Sequence, residues 1–264
     1  MHGKQHQCGP PLRAALGWDL VVADVDTDSL GTFTNDVRRI ASPLDTARRK
    51  ARWGMEVTGA SRGLASEGSF VSHPDGFGLI VAEEIVVLLD DADGLEVVER
   101  LTTTSTNARS VELTSRVLSE DFLRSVGFPE HGLIVTGPDA AAPQVKGIRD
   151  EDLLAEAIER GLSLHPRVMV TTDLRAHMNP TRQRTLEVLA AKLAARLQAR
   201  CRACAAPGWG ISRVEVGLPC AWCGTGTLEV AAEVSSCARV GCSATHNAPI
   251  ADEGNPAWCP RCNP

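Results

Sequence analysis

CRAC at 201–204, CAWC at 220–223, CARVGC at 237–242 and CPRC at 259–262 place eight of the chain's nine cysteines in four close pairs. A bound metal needs four donors converging on one point, and a close pair supplies two of them from a single turn. Cys201 and Cys204, followed by Cys220 and Cys223, have the spacing of a zinc ribbon. Cys237 and Cys242, followed by Cys259 and Cys262, make a second set with one looser turn. The expectation is two structural zinc ions, each on four cysteines, because cysteine takes every ligand position whereas catalytic zinc keeps one open for water. Near-equal internal spacings favour sequential pairing, the first four cysteines on one ion and the last four on the other. A cross-braced arrangement joining alternate pairs is the other possibility. The region has few large apolar side chains, so metal binding, worth about 10–16 kcal/mol per site, is what would fold it. Cys8 stands apart and reads as an incidental thiol. His246 could replace a cysteine, but the ligand count is already complete.

The chain has 264 residues and a net charge of −6, unevenly spread. Residues 180–200 carry Arg182, Arg184, Lys192, Arg196 and Arg200 against Glu187, a balance of +4. Residues 201–264 balance at −1, which leaves −9 for residues 1–179. A module that grips DNA phosphates is normally basic. The cysteine region is not, so nucleic acid is a less favoured partner than protein. The basic helix keeps that reading open, against a solvated face beside an acidic domain. No apolar run approaches the ~20 residues of a membrane span. The N-terminal MHGKQHQCGPPLR lacks the apolar segment of a signal peptide. A reducing cytoplasm is therefore expected, where paired cysteines favour metal over disulfides.

Upstream the pattern predicts an α/β domain over 1–179, an α+β mixed sheet, then a connecting basic helix over 180–200 and the tandem four-cysteine zinc-ribbon region over 201–264. Pro10-Pro11 opens a short helix to Leu16. Asp19–Ala23 reads as a short buried strand, and a strand before His2 is expected of the fold, so the chain is expected to begin just after it. Ser42-Pro43-Leu44-Asp45 starts a helix that ends at Gly59. Gly63–Phe70 reads as a strand entering a Gly/Ser turn that carries Glu67. Residues 83–89 and 95–103 read as a hairpin. A helix is predicted from Leu113 to Val126, strands over 132–136 and 144–148, a helix capped by Asp150, a strand over 167–172, and a long helix from Asn179-Pro180.

In α/β sheets ligands bind beyond the carboxyl ends of strands. Thr171–Arg182 lies at such an end and gathers Asp173, Arg175, Asn179 and Arg182 at a helix start, a set suited to phosphate or carboxylate. The competing reading is a structural salt bridge of Asp173 with Arg175 or Arg182. Glu67 and Asp173 are the candidate catalytic groups, as metal ligands or bases. Lys4, Lys50, His73 and Lys146 are the further ligand-binding candidates. Asp24, Asp26 and Asp28 offer carboxylates for Mg²⁺.

Leu30-Gly31-Thr32-Phe33-Thr34, SPLDTARRKA at 42–51, ASEGSF at 65–70 with His73-Pro74, GFPEHGLIV at 127–135, TDLRAHMNPTR at 172–182 and the paired ribbons together resemble a bacterial family known only as a domain of unknown function. The resemblance covers nearly the whole chain and implies this architecture without an activity. Over residues 1–105, the loop with Lys4, the helix around Lys50, the strand into Ser66-Glu67-Gly68 and the hairpin are similar in order to inosine triphosphate pyrophosphatase and Maf-like proteins. That similarity implies cleavage of nucleoside triphosphates with Mg²⁺, although their full asparagine–lysine loop motif is not present. Two functions follow. One is an enzyme acting on a phosphorylated or nucleotide-like ligand. The alternative is a zinc-ribbon module that engages a protein or nucleic acid without catalysis.

Overall fold

A computed structural model describes residues 3–26, 41–73, 76, 78–138 and 144–264. Its centre is a three-stranded antiparallel meander, β1 (Arg62–Ser72), β2 (Ile80–Asp90) and β3 (Leu95–Thr103). Alternation along β2 explains the layers. Ile85, Val87 and Leu89 face α2 (Pro43–Thr58), where Ala47, Ala51 and Met55 form the apolar stripe. Val86 and Leu88 face the other way, onto α1 (Gln5–Leu16) and α5 (Pro180–Gln198), where Leu12, Leu189, Leu193 and Leu197 meet them. Helix α2 starts as expected: the Ser42 hydroxyl accepts a hydrogen bond from Asp45 N, Pro43 fills the first turn, and Gly59 closes the helix at φ 68°.

Helix α5 is more than a connector. Asn179 caps it by accepting from Arg182 N. Two of its basic side chains are buried rather than solvated. Arg196 donates Nη1 to the Val98 and Ile211 carbonyls and to Glu99 (3.0 Å), and Nε to the Gly208 carbonyl, so it ties the cysteine-rich region to β3.

A second antiparallel sheet follows, in the order β4 (Ser110–Leu113), β7 (Val168–Thr172), β5 (Leu133–Thr136), β6 (Gln144–Ile148). Helices α3 (Glu120–Val126) and α4 (Glu151–Leu164) complete its core through Val126, Leu154, Ala157 and Ile158. The first half of the expected Leu113–Val126 helix is therefore absent, while its second half and its end at Gly127 are present. Leu113 pairs with Val168 in the sheet, and Ser119 caps a helix that begins only at Glu120. The Ser and Asp/Glu of the SED segment are start signals, and they outweigh the apolar spacing before them. Asp19–Ala23 is not a strand either. Among the described residues it has no ladder partner, Val21 is 82% exposed, and of the segment only Leu20 is packed against the core. All three sheets are antiparallel among the described residues. The rule that places ligands at the carboxyl ends of parallel strands therefore gives Thr171–Arg182 no special standing. No helix among the described residues is long and apolar enough to cross a membrane.

The C-terminal region is a third meander, β8 (Gly210–Val216), β9 (Val230–Ser236) and β10 (Thr245–Pro249), with a cysteine pair at each reversal.

Candidate functional site

Glu67 lies in the middle of β1, paired with Ile85, and is buried rather than displayed in a turn. Cross-strand partners share a face, so Glu67 points with Ile85 toward α2. There Lys50 Nζ meets its Oε1 at 2.6 Å. Ser66 and Gly68 point the opposite way, toward α1 and α5. Lys4, at the start of α1, donates Nζ to the Ser66 carbonyl and to the Ser66 hydroxyl, both at 2.9 Å. Gly68 sits opposite Glu84, whose carboxylate is fully buried and takes Arg182 Nε at 2.5 Å. Because β1 is an edge strand, Lys4 and Lys50 approach one segment, Ser66–Gly68, from the two faces of the sheet.

Burial pushes the Lys4 ammonium down to about 8, with the Arg182 charge acting in the same direction and the Glu84 and Glu67 carboxylates against it. Lys4 forms no ion pair among the described residues; its hydrogen bonds go to the two neutral oxygens of Ser66. Cys8, one turn along α1, is buried, and its thiol is pushed up first by desolvation.

Asp173 and Arg175 form the salt bridge that was the competing reading: Arg175 Nη2 lies 2.6 Å from Asp173, whose side chain is fully buried. Arg182 joins this segment to the first cluster. Its Nη1 donates to the Leu174 carbonyl at 2.6 Å, while Asn179, which caps its backbone, donates to Asn107 and to the Asp173 carbonyl. Arg182 thus bolts β2 to the loop after β7. The crevice beside it, lined by Phe70, Glu84, Asn179 and Arg182, encloses about 10 Å³, room for one water and no larger ligand.

The remaining candidates are not brought together. His73 is exposed six residues beyond Glu67, about 20 Å along an extended chain. Lys146 lies on β6 opposite Ile134 in the second sheet. Asp24 and Asp26 are exposed in the segment after α1, and Asp28 lies outside the described residues. An open groove of about 510 Å³ between α3 and α4, floored by Leu123, Phe128, Leu154 and Ile158, contains no candidate residue. Glu84 was missed in the sequence. The signal was available: two acids open the otherwise apolar run EEIVVLL, and one of them must face inward.

The eight paired cysteines converge in two groups, but not in sequential order. Cys201, Cys204, Cys237 and Cys242 form one, and Cys220, Cys223, Cys259 and Cys262 the other, with all four sulfurs of each within 4.8 Å of one another. The arrangement is cross-braced. Each strand of the meander carries the chain from one end of the module to the other, so alternate pairs share an end. The seven residues of β8 span about 20 Å, too far for Cys204 and Cys220 to reach one ion. Four sulfurs at 2.3 Å from one zinc ion lie about 3.8 Å apart. The Cys204–Cys237, Cys220–Cys262 and Cys223–Cys259 separations of 3.5, 3.9 and 3.6 Å fit that tetrahedron and are far from a disulfide bond. Each group could therefore hold one metal ion.

Local hydrogen bonding already separates the crowded thiols. Backbone donation from Cys204 brings Cys201 down to about 7, and bonds from Thr225 bring Cys223 to about 6. Desolvation raises Cys237 to about 12, and its bond with Cys223 raises Cys262 equally. The turns share one backbone form. Ala205 N donates to the Cys201 carbonyl at 2.9 Å, as Gly224 N does to the Cys220 carbonyl at 2.8 Å. The residue after the second cysteine is left-handed in both: Gly224 at φ 72° and Ala205 at φ 57°. A side chain there costs about 1 kcal/mol. Ala205→Gly is expected to stabilise the metal-loaded chain by about that amount, seen as a raised unfolding midpoint with unchanged metal content.

The first group is docked on the α/β region. Glu96 N donates to the Ala238 carbonyl, Val240 N to the Gly94 carbonyl, and Arg239 to the Asp93 carbonyl. The second group is distal. No curated protein and no solved structure matches the chain. Residues 50–264, from the lysine that pairs with Glu67 to the end of the cysteine region, match one family over most of the chain. The chain belongs to the family described as Domain of unknown function (DUF6671).

Proposed function

We propose that the α/β region binds a phosphorylated or nucleotide-like anion through Lys4, and that the two cysteine groups hold structural zinc. The arrangement on Ser66–Gly68 carries the first part. Among the described residues Lys4, Lys50 and Arg182 stand against Glu67 and Glu84, and both carboxylates already hold a cation. Lys4 is left on neutral oxygens. A phosphate oxygen would give its ammonium a charge-assisted bond in a partly desolvated place. In this reading Glu67 and Asp173 are positioning carboxylates, holding Lys50 and Arg175. Any Mg²⁺ would arrive on the ligand's phosphates, as that ion prefers one or two carboxylates plus phosphate oxygens.

The test is thermal stability of the whole chain with tripolyphosphate and with nucleoside triphosphates, with and without Mg²⁺. A shift is expected in the native protein and not in Lys4→Met. Equal shifts in both would remove Lys4 from the site. Affinity should fall about tenfold per pH unit above pH 8, as the ammonium loses its proton. Without ligand, Lys4→Met should be the more stable protein by about 1 kcal/mol at pH 7. At that pH the amine is charged in both the folded and unfolded chain, so its burial is a cost. That cost is relieved as pH rises from about 8 toward the ordinary 10.5, and the gap between the two proteins should narrow there.

A further inference from the structure

The two ends of the cysteine-rich module are unlike in a way that metal binding does not require. At the distal end Trp222 and Trp258 each directly precede a ligand cysteine, Cys223 and Cys259, whose sulfurs lie 3.6 Å apart. They are 79% and 57% exposed, and Leu228, 69% exposed, is held beside Trp258 by its N–H to the Trp258 carbonyl. At the docked end the corresponding positions, before Cys204 and before Cys237, are Ala203 and Ser236. Large aromatic side chains left in water add nothing to the module's own stability, and such apolar patches rimmed by polar groups mark interaction sites.

Charge divides the same way. Residues 200–209 and 237–244, around the docked group, carry Arg200, Arg202 and Arg239 and no acid. Residues 217–229 and 250–264, around the distal group, carry Glu229, Asp252 and Glu253 against Arg261. Zinc on four thiolates would add two negative charges to each group alike, so the distal end stays the more acidic of the two. The acids are held in place: Glu229 accepts from Asn255 N at 2.5 Å, which fixes the loop bearing Asp252 and Glu253.

We propose that this distal end is a docking surface for a basic, arginine-bearing segment of a partner protein. Guanidinium groups stack on indole faces through the ring quadrupole, and tryptophan is the strongest acceptor of that contact. The acids on the rim steer and orient the cation. The same charges repel a phosphate backbone, so a nucleic-acid strand that would otherwise stack on the indoles is disfavoured. The proposal is independent of the Lys4 site, which lies on the other region.

The test uses the whole zinc-loaded chain and three probes: an arginine–glycine repeat peptide, an aspartate–glycine peptide of equal length, and oligothymidine. Saturable binding is expected for the arginine peptide alone, weakening as salt rises. Trp222→Ala should weaken it about tenfold. Asp252→Lys with Glu253→Lys should weaken it similarly and flatten the salt dependence. These three side chains are exposed and are not metal ligands, so zinc content should stay at two ions per chain in each variant. Absence of saturation with the arginine peptide, undiminished binding by Trp222→Ala, or tighter binding of oligothymidine than of the peptide would overturn the proposal.

Discussion

Replacing Cys204 and Cys237 together by serine should leave one zinc ion per chain, and replacing Cys204 and Cys223 should leave none. The first pair of substitutions falls within one group of four, the second takes a ligand from each. Sequential pairing would give the reverse result, so elemental analysis of the two purified proteins separates the arrangements without reference to activity. The stability consequences are also unequal. Each site contributes about 10 kcal/mol or more, comparable with the whole stability of a domain, so losing an ion unfolds what depends on it. The docked group supports Ala238 and Val240, whose backbone bonds hold the Gly94–Glu96 end of the central hairpin. Its loss should lower the unfolding midpoint of the α/β region as well. Loss of the distal group should loosen only the reversal around Cys220 and Cys259. Chelator added to the native chain should accordingly release zinc in two steps, with the helical signal falling in only one of them.

The meander that dictates cross-bracing was legible in principle. Val214 and Val216 alternate with polar residues, and Val230, Ala232 and Val234 recur at the same period of two; two short strands between cysteine pairs send successive pairs to opposite ends. The sequence spacing of the cysteines alone, nearly the same within each set, carries no information about direction. Local signals elsewhere were reliable where one interaction dominates. The Ser42 cap, the Asn179 cap and the 83–103 hairpin are all as the sequence reads, because each is settled within a few residues. Failures came where a distant partner decides. Leu113 is a strand residue because Val168 is beside it, and Glu67 on β1 is buried because Lys50 reaches it from helix α2. The charge of helix α5 was the most misleading local feature. A balance of +4 suggests a solvated or phosphate-facing surface, yet Arg182 and Arg196 are among its buried side chains. Arginine is the cation that interiors accommodate, since its planar fork can satisfy a carboxylate and several carbonyls together.

That burial makes Arg182 a structural side chain whose loss should be felt throughout the fold. Arg182→Met is expected to lower unfolding free energy by about 3–5 kcal/mol, because it leaves the Glu84 carboxylate buried and unpaired. Glu84 has no other place to go: it is enclosed on the central strand, and a Cβ on Gly68, its cross-strand partner, would stand 2.5 Å from its Oε1. The same substitution removes the 2.6 Å bond to the Leu174 carbonyl, so the two sheets should also lose their coupling, seen as a broader, lower-slope urea transition. Adding Glu84→Leu to Arg182→Met should recover most of the loss, since a buried pair replaced by apolar groups of similar size is often close to neutral. A solvated basic face predicts something different, a change within about 0.5 kcal/mol for Arg182→Met and no coupling to Glu84. Denaturant unfolding of the two single variants and the double variant therefore closes a thermodynamic cycle. A coupling of several kcal/mol places Arg182 in the core as a bolt between sheets, and a coupling near zero leaves it on a solvated face.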